Sequence, residues 1–203
     1  EQYHCAQAFT LLNNDENDFY QECEPSFKKE VRDIICSLIL ATDMKQHFSL
    51  VGSLKTFCTL IIEGHQNVST GPQGGLDPEK MEDRLLLMNN LIHAADIGNP
   101  TKSVPEFKLW TEMLFTEFFA QGDKEAKKKI PISNLCDRNN TNIPSSQIGF
   151  CKFITLPMFE TLAMLDDTVF TKRIENIHKN IQYWTERKEL DEEAAKNNDE
   201  VIN

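Results

Sequence analysis

Residues 93–102 read His-Ala-Ala-Asp-Ile-Gly-Asn-Pro-Thr-Lys, and they separate two helical runs of the chain. Pro100 disfavours helical backbone in the residue before it, so the helix that enters this stretch must end by Asn99. The carboxylate of Asp96 therefore lies near a helix end, where the negative pole of the helix dipole disfavours an acid. Asp96 is either an ordinary turn residue or an acid whose charge a divalent cation compensates.

Helical periodicity continues on both sides of this stretch. Apolar residues recur at three- and four-residue steps over long windows, and strand signals are nearly absent, so the sequence predicts an all-α fold. The expected helices cover about Ser26 to Leu40, His47 to Glu63, Asp77 to Asp96, a run opened by Ser103, a run from about Phe150 to Leu165, and Thr168 to Arg187. The first of them should bury one apolar side, made of Val31, Ile34, Ile35, Leu38 and Ile39.

Local signals mark several helix ends and faces. Asp77-Pro78-Glu79 combines an N-cap acid with a proline at the first helical position, and Ser103-Val104-Pro105-Glu106 has the spacing of a capping box. The helix after Ser103 should present one apolar face, made of Phe107, Trp110, Leu114 and Phe118. The strongest periodicity comprises Phe150, Phe153, Ile154, Pro157, Met158, Leu162 and Leu165, and its proline removes a backbone donor and should kink the helix.

Three segments lack this periodicity. Residues 66–76 contain Gly71-Pro72 and Gly74-Gly75 and predict a mobile surface loop. Residues 122–145 are polar and contain two prolines, which predicts a long functional loop. Residues 188–203 form a polar tail that is expected to fray. The predicted organisation is one compact unit, residues 1–187, followed by that tail.

The composition excludes several classes of protein. The chain has 203 residues, 40% hydrophobic and 26% charged, as in a soluble globular protein. A net charge of -11 argues against binding DNA or RNA, because that affinity depends on clustered cations. Six cysteines without a C-x-x-C pair predict a reduced, cytoplasmic protein without structural zinc. No run of 18 apolar residues occurs, so no membrane contact is expected from this segment, although a longer parent could carry an anchor.

Residues 146–150, Ser-Gln-Ile-Gly-Phe, bring an amide and an aromatic ring to one face of a helix. Gln147 and Phe150 are three positions apart and so lie side by side. A glutamine amide both donates and accepts hydrogen bonds, and an aromatic ring stacks on other flat rings. The pair is either a first-turn polar residue beside a core aromatic, or a site for a planar heterocycle.

Together with residues 93–102, this stretch resembles the catalytic domain of the class I 3′,5′-cyclic-nucleotide phosphodiesterases. Similar runs occur at 40–44 (LATDM), at His47, at 118–123 (FFAQGD) and at Cys136-Asp137. The likeness extends from Glu1 to about Trp184, and the spacing from Trp110 to Phe150 is similar to that of cAMP-type members. The family's metal-binding histidines and His-Asp pair lie upstream of the region that Glu1 opens, and no His-Asp pair occurs here. The chain therefore resembles the C-terminal portion of a compact, multi-helix catalytic domain.

The resemblance implies hydrolysis of 3′,5′-cyclic nucleotides to 5′-monophosphates in cyclic-nucleotide signalling, with cAMP as the favoured substrate and cGMP as the second candidate. The nucleophile would be a hydroxide that bridges two divalent ions, zinc with magnesium or manganese. Asp96 would be a ligand shared by both metals. The general-acid histidine is expected upstream, so the resemblance places no catalytic residue in this chain.

The same resemblance assigns the remaining site residues. Gln147 would take the edge of the purine, Phe150 would stack on it, and Asn99 would face the adenine. The other substrate contacts would come from Ile97, Leu114, Phe118, Leu135 and Met44. Glu1, His4 and Thr42 would support the metal site from outside the coordination sphere, whereas His47 and His93 would be structural.

Two other classes of function are open. The chain could be a non-catalytic helical fragment with a regulatory or interaction role, and the discriminator is whether the missing His and Asp ligands exist elsewhere in the protein. It could also belong to a metal phosphohydrolase with a different substrate, which replacement of Gln147 would reveal. The resemblance allows a homodimer, and the isolated segment is expected to be nearly inactive.

Overall fold

A computed structural model describes residues 1–66, 77 and 79–202, without the side chains of residues 62–66 and 198–202. Every regular element in these residues is helical, which confirms the predicted all-α fold. In chain order the α-helices are α1 (Gln2–Leu12), α2 (Pro25–Leu40), α3 (His47–Gln66), α4 (Met81–Asp96), α5 (Val104–Lys127), α6 (Ile143–Phe150), α7 (Leu156–Ala163) and α8 (Asp167–Ile202). Two 3₁₀ turns (Met44–Gln46 and Asn99–Thr101) and a π-helical segment (Cys151–Thr155) complete the set.

The described residues form two compact units, Glu1–Asp96 and Ile97–Asn203. Each unit is built of helices that pack on one another, so each is described by itself. The division into residues 1–187 and a polar tail stays a prediction.

The first unit packs α1 on α2, and both α2 and α3 on α4. Its fully buried apolar side chains are few and lie on α1, α3 and α4 and in the loop after α2: Phe9, Ala41, Leu54, Cys58 and Ala94. The predicted apolar side of α2 is only half-buried, and α2 contains no fully buried residue. The predicted break between Leu40 and His47 is confirmed, because the Asp43 carboxylate accepts the backbone N–H of Lys45 at 2.9 Å and caps the 3₁₀ turn after it.

The start of α4 differs from the prediction. The helix begins at Met81 rather than after Asp77. The Asp77 side chain accepts the N–H of Glu79 at 3.0 Å, and its own N–H donates to Asp83 at 3.1 Å, so these groups form a turn ahead of the helix. Pro78 and residues 67–76 of the predicted loop lie outside the described residues, and Gln66 is the last residue of α3.

In the second unit α8 is the central element. It packs against α5, α6, the π-helical segment, α7 and the 3₁₀ turn Asn99–Thr101. The largest buried apolar side chains of this unit lie on α5, α7 and α8: Phe107, Phe115, Met158, Phe159, Leu162, Ile177 and Trp184. The predicted capping box at the start of α5 is confirmed, since the Ser103 N–H donates to Glu106 at 3.1 Å.

Helix α5 buries a different face from the one predicted. The buried positions are Phe107, Thr111, Phe115 and Gly122, whereas Trp110, which was predicted to share an apolar face with Phe107, is 45% exposed. The helix also continues through Gly122 to Lys127, so the loop predicted for residues 122–145 is confined to residues 128–142. Gly122 is buried against the backbone of Cys136, which explains a glycine in mid-helix as a packing requirement and not as a helix end.

The run around Pro157 is not one kinked α-helix. The helical ladder widens between Cys151 and Thr155, where the N–H of Leu156 bonds the carbonyl of Cys151 five residues back, and Pro157 lies in the first turn of α7. A wider turn changes which side chains face inward, and Phe153, a member of the periodic apolar pattern, is 70% exposed.

Helix α8 continues through the segment that the sequence predicts to be a frayed tail. Ion pairs between residues four apart accompany this extension, Arg187 with Asp191 at 3.0 Å and Lys188 with Glu192 at 3.7 Å. Such pairs slightly stabilise a helix whose residues already favour helical backbone. The pattern of apolar residues does not include either contribution, so it does not predict the extension.

Among the described residues no single helix is both long and apolar enough to cross a membrane. The bent pair Pro25–Leu40 and Met44–Ile61, at 83°, passes that test by length and composition alone.

Candidate functional site

Asp96 is the last residue of α4, which confirms the predicted helix end. Its side chain is exposed, and among the described residues its carboxylate has no hydrogen-bond or salt-bridge partner. Burial lowers the pKa of His93, one helical turn earlier, and the backbone carbonyl of Ala41 and then the charge of Asp96 oppose that shift in part. The carboxylate is therefore available to a cation.

His93 is paired with His47 in the interior of the first unit. His47 Nδ1 and His93 Nε2 lie 2.9 Å apart, and the two residues are 1% and 0% exposed. Burial is the main cause that lowers the pKa of each imidazole, and at His93 the backbone carbonyl of Ala41 opposes that shift. The second nitrogen of His47 has no hydrogen-bond partner among the described residues. Both rings are thus neutral, and they link the first residue of α3 to the last turn of α4, as expected of structural histidines.

The other assigned residues of the first unit lie on its surface or near it. Thr42 is half-buried, and its hydroxyl donates to the carbonyl of Ile39 at 2.8 Å. Met44 opens the 3₁₀ turn and is 42% exposed. Glu1 and His4 lie at the start of α1 with exposed side chains, and Glu1 makes no side-chain cap.

The described residues do not by themselves fit a metal pair. No group of three or more His, Cys, Asp or Glu side chains lies close enough to hold a metal ion anywhere in the described part of the chain. A catalytic zinc usually has three protein ligands, and Asp96 offers one carboxylate. Further ligands would have to come from beyond these residues.

Gln147 lies in the first turns of α6 and is 5% exposed. Asn142 caps this helix by accepting the N–H of Ser145 at 2.8 Å, and Pro144 occupies its first turn. Thr111 on α5 places its hydroxyl oxygen 3.4 Å from Gln147 Oε1. The amide is therefore held in a buried position between α5 and α6.

The Thr111 hydroxyl determines which end of that amide faces it. A hydroxyl has one hydrogen, and the Phe107 carbonyl, 2.9 Å away, takes it. The oxygen of Thr111 is then an acceptor, which the NH₂ end of Gln147 satisfies and the carbonyl end does not. The two ends of an amide have nearly the same shape, so the partners decide its orientation. We therefore orient Gln147 with Nε2 towards Thr111 and Oε1 away from it.

The residues predicted to surround the base occupy different environments. Phe150 ends α6 and is half-buried, and Leu114 and Phe118 are half-buried on α5. Ile97 is buried at 6% exposure. Leu135 is 36% exposed and has a φ of 63°, a left-handed conformation that costs free energy for a leucine.

Leu135 is carried by a loop that the end of α5 holds in place. Glu125 accepts the N–H of Ser133 at 2.7 Å, and these contacts lower the pKa of its carboxyl group. Arg138 makes a two-point contact with Asp123 and lowers the pKa of that carboxyl group. The strained conformation of Leu135 is thus fixed by anchors on both sides of it.

Asn99 begins the 3₁₀ turn after α4, and its half-buried side chain makes no hydrogen bond to any described residue. The turn is attached to α8. Asn180 Nδ2 donates to the carbonyls of Pro100 and Lys102 at 2.8 and 2.9 Å, and Asn176 Nδ2 donates to Thr101 at 2.8 Å.

Sequence reasoning missed Thr111, Asn176 and Asn180. Thr111 follows Phe107 by four residues, so helical spacing could have placed it on the buried face. No local signal marks the two asparagines, whose partners lie 75 to 80 positions away in the chain.

Comparison with known proteins identifies the family. The family described as 3′5′-cyclic nucleotide phosphodiesterase matches residues 1–177, and the chain belongs to that family. This confirms the resemblance drawn from the sequence.

Two curated relatives are similar along nearly all of this chain. It is 35% identical over 184 residues to a 3′,5′-cyclic-AMP phosphodiesterase, isoform F, of Drosophila melanogaster. The matched region covers 91% of this chain and 27% of the relative. The chain is 33% identical over 187 residues to the 3′,5′-cyclic-AMP phosphodiesterase 4C of Rattus norvegicus. That matched region covers 92% of this chain and 34% of the relative. The chain thus spans about a third or less of these relatives.

The solved structure described as LmjPDEB1 in complex with IBMX is similar with a TM-score of 0.78. The identity is 23%, and the match covers 92% of this chain and 52% of that chain. At this identity the likeness supports the fold alone.

Proposed function

We propose that this chain forms the base-recognising part of a phosphodiesterase that hydrolyses 3′,5′-cyclic nucleotides to 5′-monophosphates. The observation that carries the proposal is the buried amide of Gln147, held against Thr111, with Phe150 one turn further along the same helix. A fixed amide beside an aromatic ring suits a flat heterocycle with both donor and acceptor groups. The curated relatives are named 3′,5′-cyclic-AMP phosphodiesterases, and the base of that nucleotide is a purine.

The orientation of Gln147 favours cAMP over cGMP. With Nε2 towards Thr111, Oε1 is free to accept a hydrogen bond from the N6 amino group of adenine. The second hydrogen of Nε2 can be donated to a ring nitrogen of the base. Guanine has an oxygen where adenine has the amino group, so two acceptors would meet. A well-formed amide pair discriminates between bases by about 1–3 kcal/mol. Asn99, whose side chain makes no bond to any described residue, would add a further contact to adenine.

At the phosphate end we propose that Asp96 is one ligand of a metal pair, zinc with magnesium or manganese. Such metals supply charge neutralisation and a water of lowered pKa when they are bound. Because the described residues offer no group of three ligands, the remaining ligands and the general acid would lie elsewhere in the protein. In this proposal the chain's own contribution is therefore one carboxylate and the purine site.

Binding of 5′-AMP and 5′-GMP to the 203-residue chain tests the purine assignment. Gln147→Ala should weaken AMP binding about 10- to 100-fold, because it removes the hydrogen bonds to the base edge. Thr111→Val should reduce the preference for AMP over GMP, since the amide is then free to turn over. Nuclear magnetic resonance titrations measure both effects even where affinity is weak.

Gln182→Ala is the matched control for these titrations, because that glutamine is exposed on α8 and bonds Glu186 on the surface at 2.9 Å. It should leave the affinity for AMP unchanged. If Gln147→Ala binds AMP as well as the unaltered chain does, the purine assignment is wrong.

A second candidate function is a non-catalytic helical fragment with a regulatory or interaction role. The lack of a three-ligand group in the described residues favours it. Full recovery of hydrolysis when the family's upstream histidines are supplied on the same polypeptide would exclude it. A cytoplasmic location and a homodimer stay predictions from the sequence.

A further inference from the structure

The turn after α4 has five consecutive backbone carbonyls, from Gly98 to Lys102, and each of them has a hydrogen-bond donor. The first two are satisfied inside the turn. The N–H of Thr101 donates to Gly98 at 3.0 Å, and the N–H of Lys102 donates to Asn99 at 3.2 Å. Among the described residues, the donors to the other three are side chains of α8.

Asn180 supplies two of those three donors. It is 0% exposed, and its Nδ2 donates to the carbonyl oxygens of Pro100 and Lys102 at 2.8 and 2.9 Å. Asn176, one turn earlier on α8, supplies the third, to Thr101 at 2.8 Å. The turn is therefore attached to α8 through backbone atoms, and the side chain of Asn99 is left free.

The environment of the Asn180 carbonyl oxygen indicates that the hydrogen bonds donated by its NH₂ group explain the asparagine at this position. Its Oδ1 is buried without a hydrogen-bond partner. An unpaired buried carbonyl costs free energy, so a leucine of similar volume would suit the position better if only packing mattered. Asparagine suits the position because its Nδ2 donates a hydrogen to each of two carbonyl oxygens of the turn.

We propose that Asn180, assisted by Asn176, is a positioning residue for base recognition, which it performs by fixing the turn that carries Asn99. The inference rests on the proposed function, in which Asn99 contacts adenine. Helix α8 also packs against α6, which carries Gln147. One helix thus holds two of the base contacts in this unit: one through packing, the other through three hydrogen bonds.

A change at Asn180 should affect AMP binding only by displacing Asn99. In Asn180→Leu the carbonyls of Pro100 and Lys102 lose their donors, so the turn gains alternatives to its present conformation. Affinity for AMP should fall about 10-fold, the value of roughly one adenine hydrogen bond. In Asn99→Ala that contact is already absent, so adding Asn180→Leu should change the affinity little.

The experiment is a double-mutant cycle on the 203-residue chain, with AMP affinity measured for the unaltered chain, Asn99→Ala, Asn180→Leu and both changes together. Hydrogen exchange at the amides of Thr101 and Lys102 reports independently on the turn and should quicken in Asn180→Leu. His178→Gln is the matched control, because His178 lies on α8 between the two asparagines and is exposed. Asn176→Ala removes one bond from a half-buried position and serves if Asn180→Leu does not fold.

Unchanged exchange at the turn in these variants would overturn the proposal, and so would additive effects of Asn99→Ala and Asn180→Leu on affinity. If Gln147→Ala and Asn99→Ala both bind AMP as the unaltered chain does, the proposed function itself is wrong. The positioning role of Asn180 is then wrong as well. If Gln147→Ala loses affinity while Asn180→Leu keeps it, only the positioning role is wrong.

Discussion

At the scale of the residue, the buried pair His47 and His93 makes the first unit sensitive to acid. Burial lowers the pKa of both rings from the ordinary value of 6.5, so both are neutral in the fold. In the unfolded chain they take up protons below about pH 6.5. Their contribution to stability is therefore complete above that pH, and it is lost as the pH falls from about 6.5 through their lowered pKa values.

This predicts a pH-dependent unfolding that the variant His47→Gln should weaken. Between pH 6.5 and 5 the free energy of unfolding should fall by up to about 1.4 kcal/mol per pH unit for each histidine. Urea unfolding between pH 7.5 and 5, with hydrogen exchange in α3 and α4 as the local readout, measures it. His178→Gln, an exposed histidine of the second unit, should keep the full dependence. An equal slope in His47→Gln and the unaltered chain would contradict the prediction.

At the scale of the element, Gly122 controls how the loop 128–142 joins α5. A Cβ atom at this position would overlap the carbonyl oxygen of Cys136 and lie 2.8 Å from its carbonyl carbon. These are backbone atoms, which cannot move aside as a flexible side chain can. The close approach of helix and loop therefore requires glycine.

Gly122→Ala should lower the free energy of unfolding by about 1–3 kcal/mol, as overpacking usually does. Gly149→Ala on α6 is the control, because a Cβ there meets nothing within 4 Å. Alanine favours helix over glycine by roughly 0.5–1 kcal/mol, so the control should be neutral or stabilising. Thermal unfolding of both variants measures the difference. A neutral Gly122→Ala would mean that the loop is not held against the helix.

The elements also indicate where prediction from the sequence succeeds. The break between Leu40 and His47, the end of α4 at Asp96 and the capping box at Ser103 depend on neighbouring residues, and each is predicted correctly. The exposure of Trp110 and Phe153 depends on which elements pack against a helix, and the apolar pattern that contains both residues does not reveal it. The contacts of His47, Thr111 and Asn180 join residues 46, 36 and 80 positions apart, a separation at which local patterns carry no information.

At the scale of the whole molecule, the 203-residue chain should be a poor catalyst in isolation. It spans about a third or less of its curated relatives, and its described residues offer no group of three metal ligands. We expect negligible hydrolysis of cAMP and weak retention of zinc, magnesium or manganese after dialysis. Turnover near that of an ordinary enzyme, about 10 per second, would contradict this.

In a longer polypeptide that supplies the family's upstream histidines, the variants should separate two roles. Asp96→Ala should abolish hydrolysis and lower the metal content, because it removes a ligand. Gln147→Ala should mainly raise KM and change the preference between cAMP and cGMP, because it touches only the base. Asp96→Ala with full activity and full metal content would disprove the metal assignment.

The π-helical segment also limits which changes of length the chain can accept. Its hydrogen bond spans one residue more than an α-helical bond does, so the segment amounts to a one-residue insertion in a continuous helix. Deleting any one residue between 151 and 155 would restore the α-helical ladder and rotate α7 by about 100° relative to α6. Gln147 lies before the insertion, whereas Met158 and Leu162, both 0% exposed, lie after it. A family member that lacks one residue at this place could therefore not keep both the orientation of the amide at position 147 and the burial of the side chains at positions 158 and 162.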